Sequence, residues 1–390
     1  MAIEGRSDAA KGDKIRLGMV GGGEGAFIGA VHRIASRIDN HYEVVAGALS
    51  STPEKARRSG AALGLAADRI YDDYESMAKA EARRADGIEA VAIVTPNNVH
   101  AGPTYAFLKA GVHVICDKPL TVSLAEAKKM RAAVEKSGLV FALTHNYTGY
   151  PLVRRMREMV GAGELGEIRL VQAEYPQDWL TGATEATGNK QAEWRVDPKR
   201  SGAGGSLGDI GTHAYNLADY VTGLELAELA ADLTSFGAGR QLDDNAQIML
   251  RYANGARGAI WASQVAPGNE NGLMLRVYGT KGGLHWRQDN PNYLFWTPYE
   301  KSTRIITRGG PDSGEAAARM TRVPPGHPEG YLEGFANIYS EVALAIKAAQ
   351  TGRKPLKAVH FPTIDDGVKG LAFVEAAVRS SKANGKWVKP

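Results

Sequence analysis

The chain has 390 residues, of which 44% are hydrophobic and 23% charged, values typical of a globular protein with two domains. Its net charge of +4 is small for this length and argues against nucleic-acid binding. The only cysteine, Cys116, excludes an internal disulfide and a structural zinc site, and no apolar run is long enough to cross a bilayer, so we expect a cytoplasmic protein without metal or membrane contact.

The first dozen residues are polar and contain Ile3-Glu4-Gly5-Arg6, a common protease-cleavage sequence. We therefore expect residues 1–12 to be disordered or tag-derived.

From residue 13 to 146, short apolar runs alternate with segments that carry apolar residues at helical spacing. The predicted strands are residues 15–20, 42–49, 90–95 and 113–116. The predicted helices are residues 28–38, 53–63, 99–110 and 123–137. This strict alternation predicts an α/β domain with a doubly wound parallel sheet and helices on both faces.

The pattern changes over residues 147–390, where strand candidates follow one another without helices between them. The predicted strands are residues 167–174, 229–236, 247–252, 257–265, 273–279 and 293–297, and the predicted helices are residues 152–162, 210–221, 330–349 and 366–383. Short turns at residues 253–255 and 279–282 favour hairpins. We predict a second, α+β domain with a large, mostly antiparallel open sheet, and a flexible loop at residues 309–326.

A glycine-rich loop, Gly21 to Gly29, lies between the first predicted strand and the first helix. Glycines there let the backbone approach a pyrophosphate, which the N–H groups at the start of the helix attract. The spacing is longer than the usual G-x-G-x-x-G, because Gly29 comes three residues late. A tight structural turn is the alternative, but the position after a first strand favours a dinucleotide site.

The end of the second predicted strand bears on the choice of cofactor. Enzymes that use NAD usually carry an acidic residue there, whereas this chain has Ser50, Ser51 and Thr52, followed by Lys55 and two arginines. Hydroxyls and cations can hold a 2′-phosphate, so we favour NADP over NAD. The alternative is that these cations lie in solvent on the second helix.

Two further polar segments follow strand ends, where doubly wound sheets bind ligands. Thr95-Pro96-Asn97 with His100 follows one strand, and Asp117-Lys118 follows the next. A lysine at such a place can take part in proton transfer. Taken alone, a solvated loop lysine is the simpler interpretation.

In the segment Gly208-Asp209-Ile210-Gly211-Thr212-His213, Asp209 and His213 are four residues apart and share one face of a helix. A histidine beside an aspartate is a plausible proton acceptor. A purely structural pair is an equally good interpretation of these two residues by themselves.

Taken together, these motifs resemble the glucose–fructose oxidoreductase / inositol 2-dehydrogenase / rhizopine-catabolism (Gfo/Idh/MocA) family, from about residue 15 to 388. The carriers are the glycine loop with His32, Thr95-Pro96-Asn97 with His100, Lys118-Pro119, and residues 208–213. The resemblance implies a Rossmann domain, a second domain whose open sheet forms homodimers or homotetramers, and a substrate site near the nicotinamide. Asp117 stands where the family commonly has glutamate.

The resemblance implies three catalytic residues, Lys118, Asp209 and His213. Loop and resemblance together predict the cofactor-binding residues Gly21, Gly23, Glu24, Gly25, Ala26, Phe27, Ile28, Ser50, Ser51, Lys55, Thr95, Pro96, Asn97, His100, Asp117, Lys118 and Asn146. The predicted substrate contacts are Lys118, Tyr147, Trp179, Trp194, Arg195, Asp209, His213 and His327. For His327, capping of the following helix is an alternative role.

These residues predict an NAD(P)-dependent oxidoreductase that moves a hydride between the nicotinamide and a hydroxyl-bearing carbon of a sugar, glycoside or inositol-like polyol. One alternative is an enzyme of the same fold that keeps its cofactor bound and recycles it between two sugars. Another is a nucleotide-binding regulator without catalysis, which we disfavour because Lys118, Asp209 and His213 are all present.

Overall fold

A computed structural model describes residues 14–390, so the expectation for residues 1–12 lies outside the described part of the chain. The chain forms two compact units. The first contains the described residues up to Thr121, Ala125–Gly149 and Tyr331–Val368; the second contains Val122–Leu124, Tyr150–Gly330 and Lys369–Pro390. Residues 331–368, which the sequence assigned to a second domain of residues 147–390, therefore cluster with the N-terminal unit.

The first unit contains a parallel sheet, as predicted, but with five strands, of which β5 was not predicted. Its strands are β1 (Ile15–Gly21), β2 (Tyr42–Ala48), β3 (Ala90–Val94), β4 (His113–Cys116) and β5 (Phe141–Leu143). They lie in the order β2-β1-β3-β4-β5, so the direction of winding reverses between β1 and β3. Ligands of such sheets bind beyond the carboxyl ends of the strands at this reversal.

Helices connect these strands, which are buried as near-continuous apolar runs. The helices are α1 (Phe27–Ile38), α2 (Pro53–Ala62), α3 (Tyr74–Glu81), α4 (Ala101–Lys109) and α5 (Leu124–Ser137). Four of the five were predicted; α3 was not. The α/β class of this unit is confirmed.

The second unit is built around an eight-stranded mixed sheet. Its strands are β6 (Ile168–Pro176), β7 (Leu226–Thr234), β8 (Asn245–Tyr252), β9 (Arg257–Ser263), β10 (Met274–Gly279), β11 (Gly282–Arg287), β12 (Tyr293–Pro298) and β13 (Arg304–Thr307). All neighbouring pairs are antiparallel except β6 and β9. The predicted mostly antiparallel sheet is confirmed, with β11 and β13 as additional strands.

Short helices accompany this sheet. They are α6 (Pro151–Gly161), α7 (Lys190–Arg195), α8 (Pro198–Ser201), α9 (Thr212–Thr222) and α10 (Gly314–Ala318). A π-helical turn, Leu207–Gly211, precedes α9, so the predicted helix at residues 210–221 begins in a wider turn. Helix α10 lies inside the segment predicted to be a flexible loop.

Alternating side chains give the sheet one buried and one solvent-facing side. Val171, Ala173 and Tyr175 of β6 are buried, whereas Leu170, just before them in the strand, is 49% exposed. The strand register places Tyr278 of β10 opposite Leu170, and both are exposed. The solvent-facing side of the sheet therefore carries large apolar groups.

Helix α11 (Tyr331–Gln350) completes the core of the first unit. Its residues Phe335, Ile338 and Val342 belong to the same buried cluster as Val31 and Ala35 of α1. Helix α12 (Ile364–Lys382) follows. None of the helices within residues 14–390 combines the length and apolarity needed to cross a membrane.

Candidate active site

The glycine loop joins β1 to α1 in a conformation that glycine favours. Gly21, Gly22 and Gly25 have φ angles of +75°, +72° and +77°. A Cβ atom at Gly29 would lie 2.2 Å from the Gly22 carbonyl oxygen, so α1 packs directly on the loop. Gly29 thus has the packing role that the third glycine has in the shorter motif, although it comes later in the sequence.

The tip of the loop, at Glu24 and Gly25, is exposed. The N-cap residue Ala26 makes no side-chain cap, and the first turn of α1 contains no acidic residue. A Cβ at Gly25 would meet no atom within 4 Å, so there is open space at the tip of the loop. The exposed N–H groups of a helix start attract a pyrophosphate. Phe27, in the same first turn, is 68% exposed.

Hydrogen bonds from neighbouring segments hold the loop in place. The Arg33 guanidinium donates a hydrogen bond of 2.6 Å to the Gly22 carbonyl. The backbone N–H of Gly23 donates to Leu49 at the end of β2, and that of Glu24 donates to the Ser59 hydroxyl. These contacts place the Glu24 carboxylate beside the segment that follows β2.

That segment contains the hydroxyls expected near the cofactor ribose. The Ser50 hydroxyl accepts a hydrogen bond from the Thr52 N–H, Ser51 is exposed, and Lys55 lies in the first turn of α2. The two arginines after Lys55 have carboxylate partners: Arg57 lies 2.9 Å from Asp72 and Arg58 lies 3.5 Å from Glu24.

Lys118 follows β4 and lies next to a buried cluster of polar groups. The Asp117 carboxylate accepts hydrogen bonds of 2.9 Å from the Lys118 N–H and the Thr144 hydroxyl, and His32 Nε2 is 3.9 Å from it. Burial raises the pKa of Asp117, but the interaction with His32 and the charge of Lys118 outweigh burial and lower it to about 2. Asp117 is therefore an anion, and its shorter side chain still contacts the lysine segment.

His145, between Thr144 and the predicted cofactor residue Asn146, is a neighbour that the sequence did not identify. Burial and the charge of Lys118 lower the pKa of His145 to about 3, so this ring is neutral at physiological pH. Asn146 and the predicted substrate contact Tyr147 are both buried in the turn that follows β5.

His100 connects two of the predicted motifs. Its Nδ1 lies 2.8 Å from the Pro119 carbonyl and its Nε2 lies 2.9 Å from the Thr95 carbonyl. Asn97 is buried and Pro96 half-buried at the same strand end. One buried imidazole thus lies between the segments that follow β3 and β4.

His32 lies on α1 and contacts α11. Its Nδ1 is hydrogen-bonded to the Tyr339 hydroxyl at 2.8 Å, and Tyr42 donates to the Tyr339 carbonyl. Because His32 also approaches Asp117, helix α11 takes part in holding the segment that carries Lys118.

Asp209 and His213 belong to the second unit. Asp209 lies in the π-helical turn and His213 in the first turn of α9. Asp243 caps this helix start, since its carboxylate accepts hydrogen bonds from the N–H groups of Gly205 and Leu207 and from the Ser206 hydroxyl. Burial raises the pKa of Asp243. π-helical turns are frequent at functional sites.

The Asp209 carboxylate receives two side-chain hydrogen bonds, each of 2.9 Å, from Arg195 Nε and from Gln264 Nε2. The Arg195 guanidinium lies 4.3 Å from the ring centre of Trp194 and 5.8 Å from that of Trp179. Four residues predicted as substrate contacts, Asp209, Arg195, Trp194 and Trp179, are thus brought together. The sequence did not identify Gln264, which follows β9.

His213 is buried, and its ring centre lies 6.1 Å from that of Tyr175 at the end of β6. His327 is exposed. Its carbonyl accepts a hydrogen bond from the buried Arg308, which also binds Glu329. His327 therefore lies in a loop that the Arg308 guanidinium holds by hydrogen bonds.

Comparison with known proteins identifies the family. Residues 15–145 match the model described as "Oxidoreductase family, NAD-binding Rossmann fold", and residues 153–285 match the "GFO/IDH/MocA C-terminal domain". An uncharacterized oxidoreductase of Bacillus subtilis, YfiI, is 35% identical over 378 residues, 96% of this chain and 96% of that protein.

Solved structures agree over nearly the whole chain. An oxidoreductase from Sinorhizobium meliloti superposes with a TM-score of 0.89 at 58% identity, covering 97% of this chain and 100% of the other. An inositol dehydrogenase homolog from Azotobacter vinelandii, complexed with NADH and myo-inositol, gives a TM-score of 0.90 at 35% identity, covering 97% and 98%. The chain belongs to the GFO/IDH/MocA oxidoreductase family and has its NAD-binding Rossmann fold, as its motifs predict.

Proposed function

We propose that this protein is an NAD-dependent dehydrogenase that transfers a hydride between the nicotinamide and a secondary hydroxyl of a cyclic polyol or sugar. The observation that carries this proposal is the array around Asp209, where a carboxylate, a guanidinium and an amide stand beside two tryptophans. Hydrogen-bonding groups next to aromatic faces suit a polyhydroxylated ring. The relative from Azotobacter vinelandii, which is complexed with myo-inositol, supports the same class of substrate.

The glycine loop fits a dinucleotide. Its positive φ angles, the open space at Gly25 and the uncapped start of α1 favour the pyrophosphate there. We assign the ribose contacts to Ser50 and Ser51, and the nicotinamide contacts to the strand ends at Thr95 and Lys118. When bound, the cofactor supplies C4 of the nicotinamide as hydride acceptor or donor.

For the choice of cofactor, the structure's charges favour NAD over the NADP that the hydroxyls and cations after β2 suggest. Arg57 and Arg58 each have a carboxylate partner, and one of these, Glu24, lies in the glycine loop itself. A negative charge beside the ribose site repels a 2′-phosphate. The relative from Azotobacter vinelandii is complexed with NADH, which supports this choice.

Three residues carry the proposed chemistry. A ring nitrogen of His213 accepts the proton of the reacting hydroxyl. Lys118 Nζ donates a hydrogen bond to the same oxygen and stabilises the negative charge that develops on it. Asp209, held by Arg195 and Gln264, accepts a hydrogen bond from a neighbouring substrate hydroxyl.

We also propose that the solvent-facing side of the eight-stranded sheet joins copies of this chain into a homodimer or homotetramer. Large apolar side chains are exposed there, among them Leu170, Met249 and Tyr278. Exposed apolar patches of this kind mark interaction surfaces. Light scattering of the purified protein tests this, and a monomer at micromolar concentration would contradict it.

The test of function is a substrate screen. Purified protein is incubated with myo-inositol, scyllo-inositol, common aldoses and simple glycosides, each with NAD⁺ and with NADP⁺, and the absorbance of the reduced nicotinamide is followed. We expect turnover of at least one cyclic polyol with accumulation of free NADH. Oxidation of a polyol without free NADH would support the alternative of an internally recycled cofactor. A protein that binds no nicotinamide dinucleotide would overturn the proposal.

A further inference from the structure

Beyond the residues already discussed, a loop covers one edge of the eight-stranded sheet. Strands β6 and β9 are parallel, so they end at the same edge, at Pro176 and Ser263. The Gln177 N–H donates to the Ser263 carbonyl at 2.7 Å, and the Gly272 N–H donates to the Pro176 carbonyl at 2.9 Å. The loop between β9 and β10 therefore folds back against the end of β6, which places Asn271 beside Gln177.

Asn271 is the centre of a network of side-chain hydrogen bonds at this edge. Its Oδ1 accepts a hydrogen bond from the Tyr175 hydroxyl and another from Gln177 Nε2, both at 2.8 Å. Its Nδ2 donates to Gln288 Oε1, also at 2.8 Å. The Trp179 indole N–H donates to Gln177 Oε1 at 3.1 Å and extends the network.

The two ends of this network reach the residues that we propose for substrate binding and catalysis. At one end, the ring of Tyr175 lies 6.1 Å from that of His213. At the other, Trp179 lies 5.8 Å from the guanidinium of Arg195, which binds Asp209. One amide oxygen, Asn271 Oδ1, thus holds both Tyr175, which lies next to His213, and Gln177, which binds Trp179.

We propose that Asn271 is a specificity-determining positioning residue. It orients Tyr175 beside His213 and Gln177 beside Trp179, and so decides which arrangement of ring hydroxyls is accepted. A site built from hydrogen-bonding groups discriminates strongly against a partner that leaves those groups unpaired. This inference rests on the proposed polyol dehydrogenase activity, because Asn271 can determine selectivity among polyols only if the enzyme oxidises them.

Two substitutions of Asn271 distinguish the role of its acceptor, Oδ1, from that of its donor, Nδ2. Asn271→Leu keeps the approximate volume but removes the oxygen that accepts from Tyr175 and Gln177. Asn271→Asp keeps an oxygen that can accept from both donors and removes the hydrogen bond that Nδ2 donates to Gln288. Asn269→Leu is the matched control, since Asn269 lies in the same loop and its Nδ2 donates to a backbone carbonyl, that of Ala266.

Steady-state kinetics are measured with NAD⁺ and with the inositols and sugars that the wild type oxidises. For Asn271→Leu we expect KM for the best polyol to rise about tenfold, kcat to stay within about threefold, and the ratio of kcat/KM between myo- and scyllo-inositol to change by about fivefold or more. Asn271→Asp should restore KM to within about threefold of wild type. KM for NAD⁺ and the Asn269→Leu control should not change.

The outcomes distinguish this inference from the proposed function. A wild type that oxidises no polyol overturns both. An active wild type with an Asn271→Leu variant unchanged in KM and selectivity, or with equal losses in the Asn271→Asp and Asn269→Leu variants, overturns the inference alone. If Asn271→Leu does not fold, as judged by its thermal melting curve, Tyr175→Phe removes one donor only. That variant should change the myo- to scyllo-inositol preference, and an unchanged preference would overturn the inference.

Discussion

The Arg195 guanidinium and the Asp209 carboxylate form a hydrogen-bonded ion pair, with Nε and Oδ2 2.9 Å apart. Because the two charges offset each other, the pair adds no net charge to the proposed substrate site. This arrangement suits an uncharged polyol better than a phosphorylated sugar. The same guanidinium lies 4.3 Å from the ring centre of Trp194 and 5.8 Å from that of Trp179, so the ion pair stands beside two aromatic rings.

Replacing Arg195 by methionine keeps an unbranched side chain beside the tryptophans but removes the ion pair between Arg195 and Asp209. Removing one partner of a partly buried pair typically costs about 1–3 kcal/mol, so we expect kcat/KM for the polyol to fall about 10- to 100-fold. This ratio is measured by steady-state kinetics with NAD⁺ and the best polyol substrate. Arg200→Met, in the same region, is the control, and equal activities of the two variants would contradict a role for the Arg195–Asp209 pair.

Replacing Lys118 by alanine should reduce kcat about 100-fold or more, since a hydrogen-bond donor directed at a developing negative charge contributes on that scale. The reason is the loss of the ammonium that stabilises negative charge on the reacting oxygen. Binding of NAD⁺, followed by quenching of tryptophan fluorescence, should persist. Lys109→Ala, at the end of α4, is the control. Wild-type turnover in Lys118→Ala would remove this residue from the mechanism.

Gly29→Ala tests the close packing of α1 on the glycine loop. The new Cβ would lie 2.2 Å from the Gly22 carbonyl oxygen, which is backbone and must move. We expect KM for the cofactor to rise about tenfold or more, with a stability loss of about 1–3 kcal/mol. Gly161→Ala is a matched substitution at the end of α6, where a Cβ meets no atom within 4 Å, and it should leave both quantities unchanged. A tolerated alanine at position 29 would contradict this packing role.

Glu24→Gln tests the charge argument for NAD. Without the carboxylate, Arg58 loses its partner and repulsion of a 2′-phosphate disappears. Because Glu24 is exposed, the effect is modest: the ratio of kcat/KM for NADP⁺ over NAD⁺ should rise about threefold at low salt and less at about 0.5 M salt. Glu135→Gln on α5 should leave the ratio unchanged. A ratio that also stays constant in Glu24→Gln would show that the carboxylate does not select the cofactor.

The buried His145 predicts a pH dependence of stability. Its folded-state pKa of about 3 lies below the usual value of about 6.5, so the unfolded chain binds more protons between these values and stability falls as pH falls below about 6.5. Between about pH 7.5 and 5.5 this one group should remove about 1.4 kcal/mol of unfolding free energy. In His145→Gln that loss should be absent from the urea midpoints, whereas the exposed His327→Gln should behave as wild type. Parallel pH curves for His145→Gln and wild type would contradict the assignment.

Regular elements with strong periodicity were predicted closely. The helix expected at residues 28–38 is α1, Phe27–Ile38, and the strand expected at 113–116 is β4. Helix α3 was missed because its apolar residues are few, although Asp73 caps it by accepting a hydrogen bond from the Ser76 N–H. Strand β11 was missed because it begins with two glycines, which indicate a turn rather than a strand.

The candidate site was predictable where residues lie in short motifs and not where they meet across the fold. The segments around Lys118 and His213 stand out because the order of the motifs along the chain resembles that of the family, whereas each segment alone has a structural interpretation. The pairing of Gln177 with Asn271 joins residues 94 positions apart and depends on the parallel pairing of β6 and β9, which periodicity does not indicate. His145 is a similar case, since its neutral state follows from burial beside Lys118.

Helix α11 has a consequence for how the protein is made. The apolar surface of α1 and β1 is covered by side chains such as Phe335, Ile338 and Val342, which are synthesised about 300 residues after it. A ribosome-bound chain that ends near Gly149 therefore contains every strand of the parallel sheet yet exposes part of its core. Such a fragment should attract chaperones or aggregate, and a nucleotide-binding fragment for expression should append residues 331–368 through a linker.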